Sequence, residues 1–265
     1  MSKHLCPQPV AAESARGLAL GTGMRASALS TSALAYSPAA LALGNLYHIE
    51  GNVDYLTQLK TAALGAAVVD SSTTKLGAGI GLRGFLSGKD GYGGMDGRLG
   101  LAFPLSEAFA IGVGARYISL SQAGAKAARG FTMDASLRLT PIGPLQIDIG
   151  ALNFIDMSSP YVPVTLTTSV AVAIMPSLSV GADVLADMST FGSPTFTAGG
   201  GAEFLAGESI PLRVGYSVDA ARGIHLIGAG VGYTDQRIGL DLSVRQQIVG
   251  GHDTRIMGAV RYYVN

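Results

Sequence analysis

The sequence has little cysteine and little charge. Cys6 is the only cysteine in 265 residues, so neither an internal disulfide nor a cysteine-rich metal site can form, and we interpret it as an incidental thiol. Charged residues make up 14% of the chain, against about 25% in ordinary soluble domains. The 18 basic and 18 acidic side chains cancel, which leaves no surplus positive charge for a phosphate backbone. We therefore expect no nucleic-acid partner.

Long apolar runs are also missing. No run reaches the roughly 18 apolar residues that a membrane-spanning helix needs. The opening "MSKHLCPQPVAAESARG" lacks the apolar core of a secretory signal, and we expect residues 1–13 to form a flexible N-terminus. Two interpretations follow: either the protein is cytosolic, or its signal peptide has been removed or left out of this sequence.

Alternation of apolar and polar residues is abundant instead. In "LYHIEGNVDYL", residues 46–56, Tyr47 and Tyr55 share one face with the apolar residues between them, while Glu50 and Asp54 face the other way. Segments of about ten residues alternate in this way along the rest of the chain. This length is typical of transmembrane strands, which have about 9 to 11 residues, whereas strands of soluble proteins have about 5 to 6. We count fourteen such segments, at residues 46–56, 59–69, 76–86, 95–103, 109–120, 131–140, 145–154, 164–175, 178–187, 195–205, 210–219, 224–233, 237–247 and 254–264.

The connections between these segments alternate in length. Longer ones, such as "SGKDGYGG", "SQAGAKAARG" and "IDMSSPYVP", follow odd-numbered segments, and short ones, such as "PIGP" and "TDQ", follow even-numbered segments. Bacterial outer-membrane barrels have an even number of strands, short periplasmic turns and longer outer loops. The pattern predicts an all-β chain that forms a transmembrane antiparallel β-barrel of about 14 strands over residues 46–265, in the bacterial outer membrane.

Aromatic residues occupy both ends of the apolar rows, as expected at the two interfaces of a barrel in lipid. A large soluble β protein, with these rows packed into a common core, is the alternative that the sequence leaves open. The outward aromatic residues are Tyr47, Phe103, Phe109, Phe204, Tyr233 and Tyr262 at the periplasmic end, and Tyr55, Tyr117, Phe131, Phe196 and Tyr216 at the outer end.

Residues 14–45 do not alternate and are rich in alanine, leucine, serine and glycine. They resemble the opening of the outer-membrane fatty-acid transporter (FadL-like) and PorV-type superfamily, although Ser37 stands where that family usually has asparagine. The resemblance implies that residues 14–45 form a short plug inside the barrel, and that a kinked third strand near Gly77–Gly81 opens a side exit. The matching residues are Arg16, Gly21, Gly23, Ala33, Pro38, Ala39 and Leu41, and Ser37 completes the proposed plug residues.

Charged residues dominate the inward rows of the predicted barrel. Their mixed signs favour interlocking salt bridges, while the alternative is a polar conduit in which arginines of the eleventh, thirteenth and fourteenth strands favour anions. The lumen-lining candidates are Glu50, Asp54, Arg83, Asp96, Arg98, Arg116, Asp134, Arg138, Asp148, Asp183, Glu203, Arg213, Arg237, Asp241, Arg245, Arg255 and Arg261.

Inward glycines form a second pattern. We interpret them as room for the backbone of the plug, because glycine in a strand often marks a close approach. We also expect Gly112→Ser to be tolerated far better than Val113→Arg, which would place charge in lipid. The inward glycines are Gly77, Gly79, Gly81, Gly112, Gly114, Gly228, Gly230 and Gly232.

No set of residues predicts catalysis, a cofactor or a metal. "GIGLRG", residues 79–84, matches the dinucleotide fingerprint, but no helix follows it to receive a pyrophosphate. His48, Glu50 and Asp54 share one face only because of the two-residue period, and no serine or cysteine is placed as a nucleophile beside a base. We therefore expect a protein that is not an enzyme.

Two functions remain open. The first is an integral outer-membrane barrel that binds or passes a small or amphipathic ligand through a plugged lumen. The second is a membrane-embedded docking component of an envelope-spanning secretion or motility machine. The expected partners are the lipid bilayer, the barrel-assembly machinery and, in the second case, other envelope proteins.

Overall fold

A computed structural model describes residues 14–87, 91–122 and 124–264. The predicted flexible N-terminus, residues 1–13 with Cys6, lies outside the described residues. In the described part of the chain, no helix combines the length and the apolar character that crossing a membrane requires.

Fourteen antiparallel strands form a closed barrel in which each strand pairs with its neighbours in sequence, and β1 pairs with β14. The predicted all-β class, barrel and strand number are confirmed. The strands are β1 (Tyr47–Leu56), β2 (Thr61–Asp70), β3 (Gly77–Ser87), β4 (Tyr92–Ser106), β5 (Phe109–Gln122), β6 (Ala125–Ile142), β7 (Leu145–Leu152), β8 (Thr165–Met175), β9 (Leu178–Asp187), β10 (Thr195–Ala206), β11 (Ile210–Asp219), β12 (Ile224–Thr234), β13 (Ile238–Val249) and β14 (Thr254–Tyr263).

Alternation along each strand separates a buried inner face from an exposed outer face. In β5, Ala110 and Ile118 are fully buried, whereas Ile111 and Val113 are 40% and 45% exposed. The predicted outward parity of the aromatic residues is confirmed. Tyr55, Phe103, Phe131, Phe196, Phe204, Tyr216, Tyr233 and Tyr262 are exposed, and Tyr47, Phe109 and Tyr117 are partly exposed.

Two predicted loops are wrong, because the paired strands continue through them. β5 and β6 form one long hairpin that turns between Gln122 and Ala125, so most of "SQAGAKAARG" belongs to strands. β4 begins at Tyr92, within "SGKDGYGG", and residues 88–90 lie outside the described part. A run of small residues in a sequence is typical of a loop, but it forms a strand where hydrogen bonds to a neighbouring strand hold it. The two longest links, residues 153–164 and 188–194, lie at one end, which we call the loop end. The link at residues 71–76 lies at the other, which we call the turn end, and is longer than the predicted alternation of connections allows.

The expected side exit at β3 is also absent. β3 pairs residue by residue with β2 and with β4 from Ala78 to Phe85, without a register shift on either side. A kink that opened the wall would interrupt one of these ladders. The wall is therefore continuous at Gly79 and Gly81.

Residues 14–45, the N-terminal segment, pack between opposite parts of the wall. α1 (Ala15–Ala19) contacts β11–β14, and a 3₁₀ helix (Pro38–Leu43) contacts β3–β6. A second 3₁₀ helix (Arg25–Ser27) and α2 (Thr31–Tyr36) lie between them in sequence. The side chain of Ser14 caps α1 by accepting a hydrogen bond from Gly17 N at 3.0 Å. Leu18, Leu20 and Met24 are fully buried, which anchors the segment.

Candidate functional site: charged lumen and cavities

The inward charged residues lie where the sequence predicts, with one exception. Buried side chains of both signs point into the lumen from ten of the fourteen strands. The buried candidates are Glu50, Asp54, Arg83, Asp96, Arg116, Asp134, Arg138, Asp148, Asp183, Arg213, Asp241 and Arg255, and the partly buried ones are Arg98, Glu203, Arg245 and Arg261.

Arg237 is the exception and does not line the lumen. It is exposed in the turn between β12 and β13, because β13 begins one residue later, at Ile238. The carboxylate of Asp235 accepts hydrogen bonds from the backbone N–H groups of Arg237 and Ile238, at 2.7 and 2.8 Å, and so ends the strand. These bonds hold the pKa of Asp235 below its usual value.

A chain of ion pairs ties the N-terminal segment to the turn end. Arg16 Nε lies 3.0 Å from Glu203 Oε2, and Arg213 Nε lies 2.5 Å from the same oxygen. At the far end of the chain, Glu50 also accepts a 2.6 Å hydrogen bond from Thr31 of α2. The three arginines and three carboxylates of this chain of ion pairs balance one another in charge. The order is Arg16, Glu203, Arg213, Asp241, Arg261, Glu50.

Two further charged groups lie closer to the loop end. Asp54 of β1 is fully buried and pairs with Arg83 of β3 and with Arg255 of β14, whose Nη2 lies 2.7 Å from Asp54 Oδ2. Asp96 binds Arg116 through two hydrogen bonds, at 2.9 and 2.8 Å. Arg98 adjoins this second group and lies 3.6 Å from Asp96 and 3.9 Å from Asp134.

A last group binds the middle of the N-terminal segment. The hydroxyl of Ser37 donates to Asp148, and Arg138 donates to the carbonyl of Ala28 at 2.8 Å. Asp183 accepts a hydrogen bond from the backbone N–H of Arg25 at 3.2 Å. Some inward charged residues therefore bind the N-terminal segment, while most pair with one another across the wall, which supports the salt-bridge interpretation.

The predicted arginine cluster does not form. Arg213 and Arg261 belong to the turn-end chain, Arg255 binds Asp54, and Arg245 borders a cavity near the loop end. These arginines lie on the predicted strands, but at different distances from the loop end, so they do not meet. The strand to which a residue belongs does not by itself give its position along the barrel axis.

Three of the eight predicted inward glycines, Gly77, Gly112 and Gly228, lie against the backbone of the N-terminal segment, and the nearest atoms to the other five belong to side chains or to neighbouring strands. A Cβ atom built on Gly112 would lie 2.1 Å from Ala39 N, and one on Gly77 would lie 2.4 Å from Leu41 C. On the opposite wall, a Cβ on Gly215 would lie 2.3 Å from Gly21 N. These contacts leave no room for a side chain. Gly112→Ser therefore has a steric cost that the sequence did not reveal, and its comparison with Val113→Arg stays a prediction.

A cavity of about 200 Å³, the loop-end cavity, lies between the N-terminal segment and the loop end. Its floor includes Arg25 and Tyr36, and its wall combines arginines with aliphatic side chains. The phenol of Tyr161, in the 153–164 link, donates a 2.5 Å hydrogen bond to Gln122, and burial raises the pKa of Tyr161. The wall includes Leu152, Leu185, Ile224 and Leu226 together with Arg98, Arg116, Arg222 and Arg245.

The sequence alone did not single out Arg222 or the aliphatic inward residues. Arg222 lies in the link between β11 and β12, where it binds Asp219 at 2.7 Å and stacks over the ring of Phe191, 5.0 Å away. Leu185 and Leu226 occupy inward positions near the loop-end termini of β9 and β12. Apolar residues at inward positions were the available signal for this cavity.

Two more cavities lie below the loop-end cavity. The turn-end cavity has a volume of about 310 Å³ and is bordered by Arg16, Glu203 and Arg213. A small cavity of about 70 Å³ lies between α2 and strands β1–β4. Among the described residues, no group of histidine, cysteine, aspartate or glutamate side chains is arranged to hold a metal ion.

Comparisons with known proteins identify the fold. No protein-family model and no curated protein matches the chain. A FadL homologue from Pseudomonas aeruginosa is similar in structure over 94% of this chain and 98% of its own, with 10% identity and a TM-score of 0.70. The toluene transporter TodX from Pseudomonas putida is similar over 97% and 98%, with 14% identity and a TM-score of 0.68. The monoaromatic hydrocarbon channel CymD matches over 94% and 96%, with 11% identity and a TM-score of 0.62. This chain therefore has the FadL-like β-barrel fold.

Proposed function

We propose that this protein is a bacterial outer-membrane barrel, not an enzyme, that binds a small, amphipathic ligand in the loop-end cavity. The observation that carries the proposal is the composition of that cavity. Leu185 and Leu226 offer an apolar wall, and Arg222 and Arg245 stand on the same lining. Ligand sites commonly combine an apolar enclosure with a few placed polar groups.

The continuous outer row of apolar side chains supports the membrane location. Large apolar residues such as Leu82, Leu99 and Leu242 are 55 to 57% exposed and would face lipid rather than water. The protein with a signal peptide should fractionate with outer membranes and show heat-modifiable migration on gels. Recovery as a soluble monomer without detergent would contradict the proposal.

The topology can be tested with single cysteines in a Cys6→Ser background. Lys126 is exposed at the loop end, and Gly143 is exposed at the turn end. An impermeant thiol reagent should label Lys126→Cys on intact cells and Gly143→Cys only after the outer membrane is opened. The reverse pattern would invert the barrel.

Ligand binding can be followed by fluorescence because the sequence contains no tryptophan. Leu226→Trp places a single fluorophore in the loop-end cavity, and Ile227→Trp places one on the outer face, where Ile227 is 43% exposed. We expect 8-bromooctanoate to quench the Leu226→Trp variant and unlabelled octanoate to reverse the quenching. Quenching of the Ile227→Trp variant should not be reversed by octanoate, because it reflects partition into lipid or detergent.

Equal responses of the two variants would contradict the proposed site. A Leu185→Trp variant provides a second reporter on the same cavity, in case the indole at position 226 fills the space that the ligand needs. Toluene, added as a competitor in place of octanoate, separates recognition of an apolar ligand from recognition of a carboxylate. The docking hypothesis stays a prediction, because none of the described contacts favours it.

A further inference from the structure

The small cavity beside α2 borders both of the larger ones. It shares Ala35 and Arg98 with the loop-end cavity, and Ser14, Thr31 and Glu50 with the turn-end cavity. The three cavities therefore follow one another from the loop end to the turn end, and the small one lies along strands β1–β4. We call the small cavity the slot.

The slot exists because three inward residues on β2 and β3 are small. Gly65, Ala67 and Gly81 line it, and Ala67 lies opposite Gly81 in the ladder between these strands. A Cβ on Gly81 would have Leu34 Cδ2 and Ala67 Cβ as its nearest contacts, at 3.1 and 3.5 Å. No backbone atom of the N-terminal segment lies as close here as at Gly215 or Gly112. The segment thus leaves space on this side.

Polar groups with unmet hydrogen-bonding capacity face this space. Arg98 Nε and Asn52 Oδ1 are buried and have no hydrogen-bond partner among the described residues, and both side chains line the slot. Buried polar groups of this kind are normally satisfied by water. A volume of about 70 Å³ is larger than the roughly 10–15 Å³ that one water molecule needs. The slot is therefore suited to hold water.

We propose that the slot joins the two larger cavities into a hydrated path that conducts water and monovalent ions past the N-terminal segment, and excludes the larger ligand of the loop-end cavity. Its charged lining is balanced, with Glu50 and Asp96 facing Arg83 and Arg98. A balanced lining predicts weak selectivity between cations and anions. This inference extends the proposed function, since it assigns the ligand and the ions to different parts of the lumen.

Conductance before and after chemical modification tests the path. Ala67→Cys in a Cys6→Ser background places one thiol in the slot, and Leu64→Cys places one on the outer face of the same strand, where Leu64 is 51% exposed. In planar bilayers with potassium chloride, both variants should show the same small, steady conductance. A cationic methanethiosulfonate should then reduce the Ala67→Cys conductance several-fold, because the attached group fills the slot. The Leu64→Cys conductance should not change.

Three results would overturn the proposal: no conductance above a protein-free bilayer, failure of the Ala67→Cys thiol to react, or full modification without loss of current. Heat-modifiable migration confirms that each variant has assembled. If Ala67→Cys does not assemble, Ala35→Cys is the second variant, since Ala35 borders both the slot and the loop-end cavity. Ligand quenching in Leu226→Trp should be unaffected by Ala67→Cys modification, so failure of the path and failure of the ligand site are distinguishable.

Discussion

The two sides of the N-terminal segment use small inward residues in different ways. On the β10–β12 wall, residues 18–21 lie directly against Gly201, Gly215 and Gly228, with no space for a methyl group. On the β2–β3 wall, Gly65 and Gly81 border the slot. The first wall holds a backbone, and the second, which holds a backbone only near Gly77, leaves a cavity at Gly65 and Gly81. An inward glycine therefore indicates available space, and only the path of the segment decides whether that space is filled.

Removal of the N-terminal segment should leave both walls facing an open lumen, and we expect it to have the largest effect of the four changes below. Deletion of residues 1–44 should raise the conductance several-fold above that of the intact protein, because both sides of the lumen would then be open. The measurement is single-channel recording in planar bilayers, with heat-modifiable migration as the control for assembly. An assembled, shortened barrel that stays sealed would show that the segment does not limit passage.

The close contact on the β10–β12 wall can be tested with one bulky substitution. Gly215→Leu should lower the free energy of unfolding by about 3 kcal/mol, because the new side chain would overlap the backbone of Leu20 and Gly21. Urea titration in detergent, followed by gel shift, measures the change. The matched control is Gly51→Leu, on the outer face, where a Cβ has no neighbour within 4 Å. Similar losses in both variants would contradict the assignment of the two faces.

The ion pair between α1 and β10 should contribute less. Arg16→Met removes the partner that lies 3.0 Å from Glu203, which keeps its contact with Arg213. We expect a loss of about 1.5–3 kcal/mol, typical of a hydrogen bond to a charged group. Arg129→Met, at an exposed position of β6, should change the stability little. Unchanged stability of Arg16→Met together with a loss of stability in Arg129→Met would contradict this prediction.

The hydrogen bond between Thr31 and Glu50, beside the slot, should contribute least to the free energy of unfolding. Thr31→Val keeps the shape of the side chain and removes the 2.6 Å hydrogen bond to Glu50, which retains Arg261 at 3.4 Å. We expect a loss of about 1 kcal/mol in the free energy of unfolding. The conductance of this variant should differ from that of the intact protein, because Thr31 and Glu50 border both the slot and the turn-end cavity. Unchanged conductance together with the expected loss of stability would assign Thr31 a purely structural role.

Much of the barrel could be predicted because the two-residue period fixes both the strands and their faces. The outward row of β5 and the inward row of β1 follow directly from that period. Strand ends could not be predicted where small residues continue the pairing of two strands, as in the hairpin of β5 and β6, which stays paired up to Gln122 and Ala125. The Asp235 turn, which leaves Arg237 exposed, depends on side-chain hydrogen bonds that a periodic pattern does not contain.

The charged lumen was predicted as a set of residues but not as a set of contacts. Arg255 and Arg261 share a strand and an inward face, yet one binds Asp54 and the other Asp241. Their partners depend on the stagger between strands, which fixes the height of each residue. The path of residues 14–45 depends on the same stagger, so neither Arg16 with Glu203 nor Ser37 with Asp148 could be paired from the sequence.

The ion pair between Arg16 and Glu203 joins residues that are 187 positions apart in sequence. α1 also packs against β11–β14, the last four strands of the barrel along the chain. Contacts of such long range form slowly, because the entropy of closing the intervening chain must be lost before they contribute. The first residues of the described chain therefore reach their final positions only after the last strands have formed, and their docking is a late step in folding.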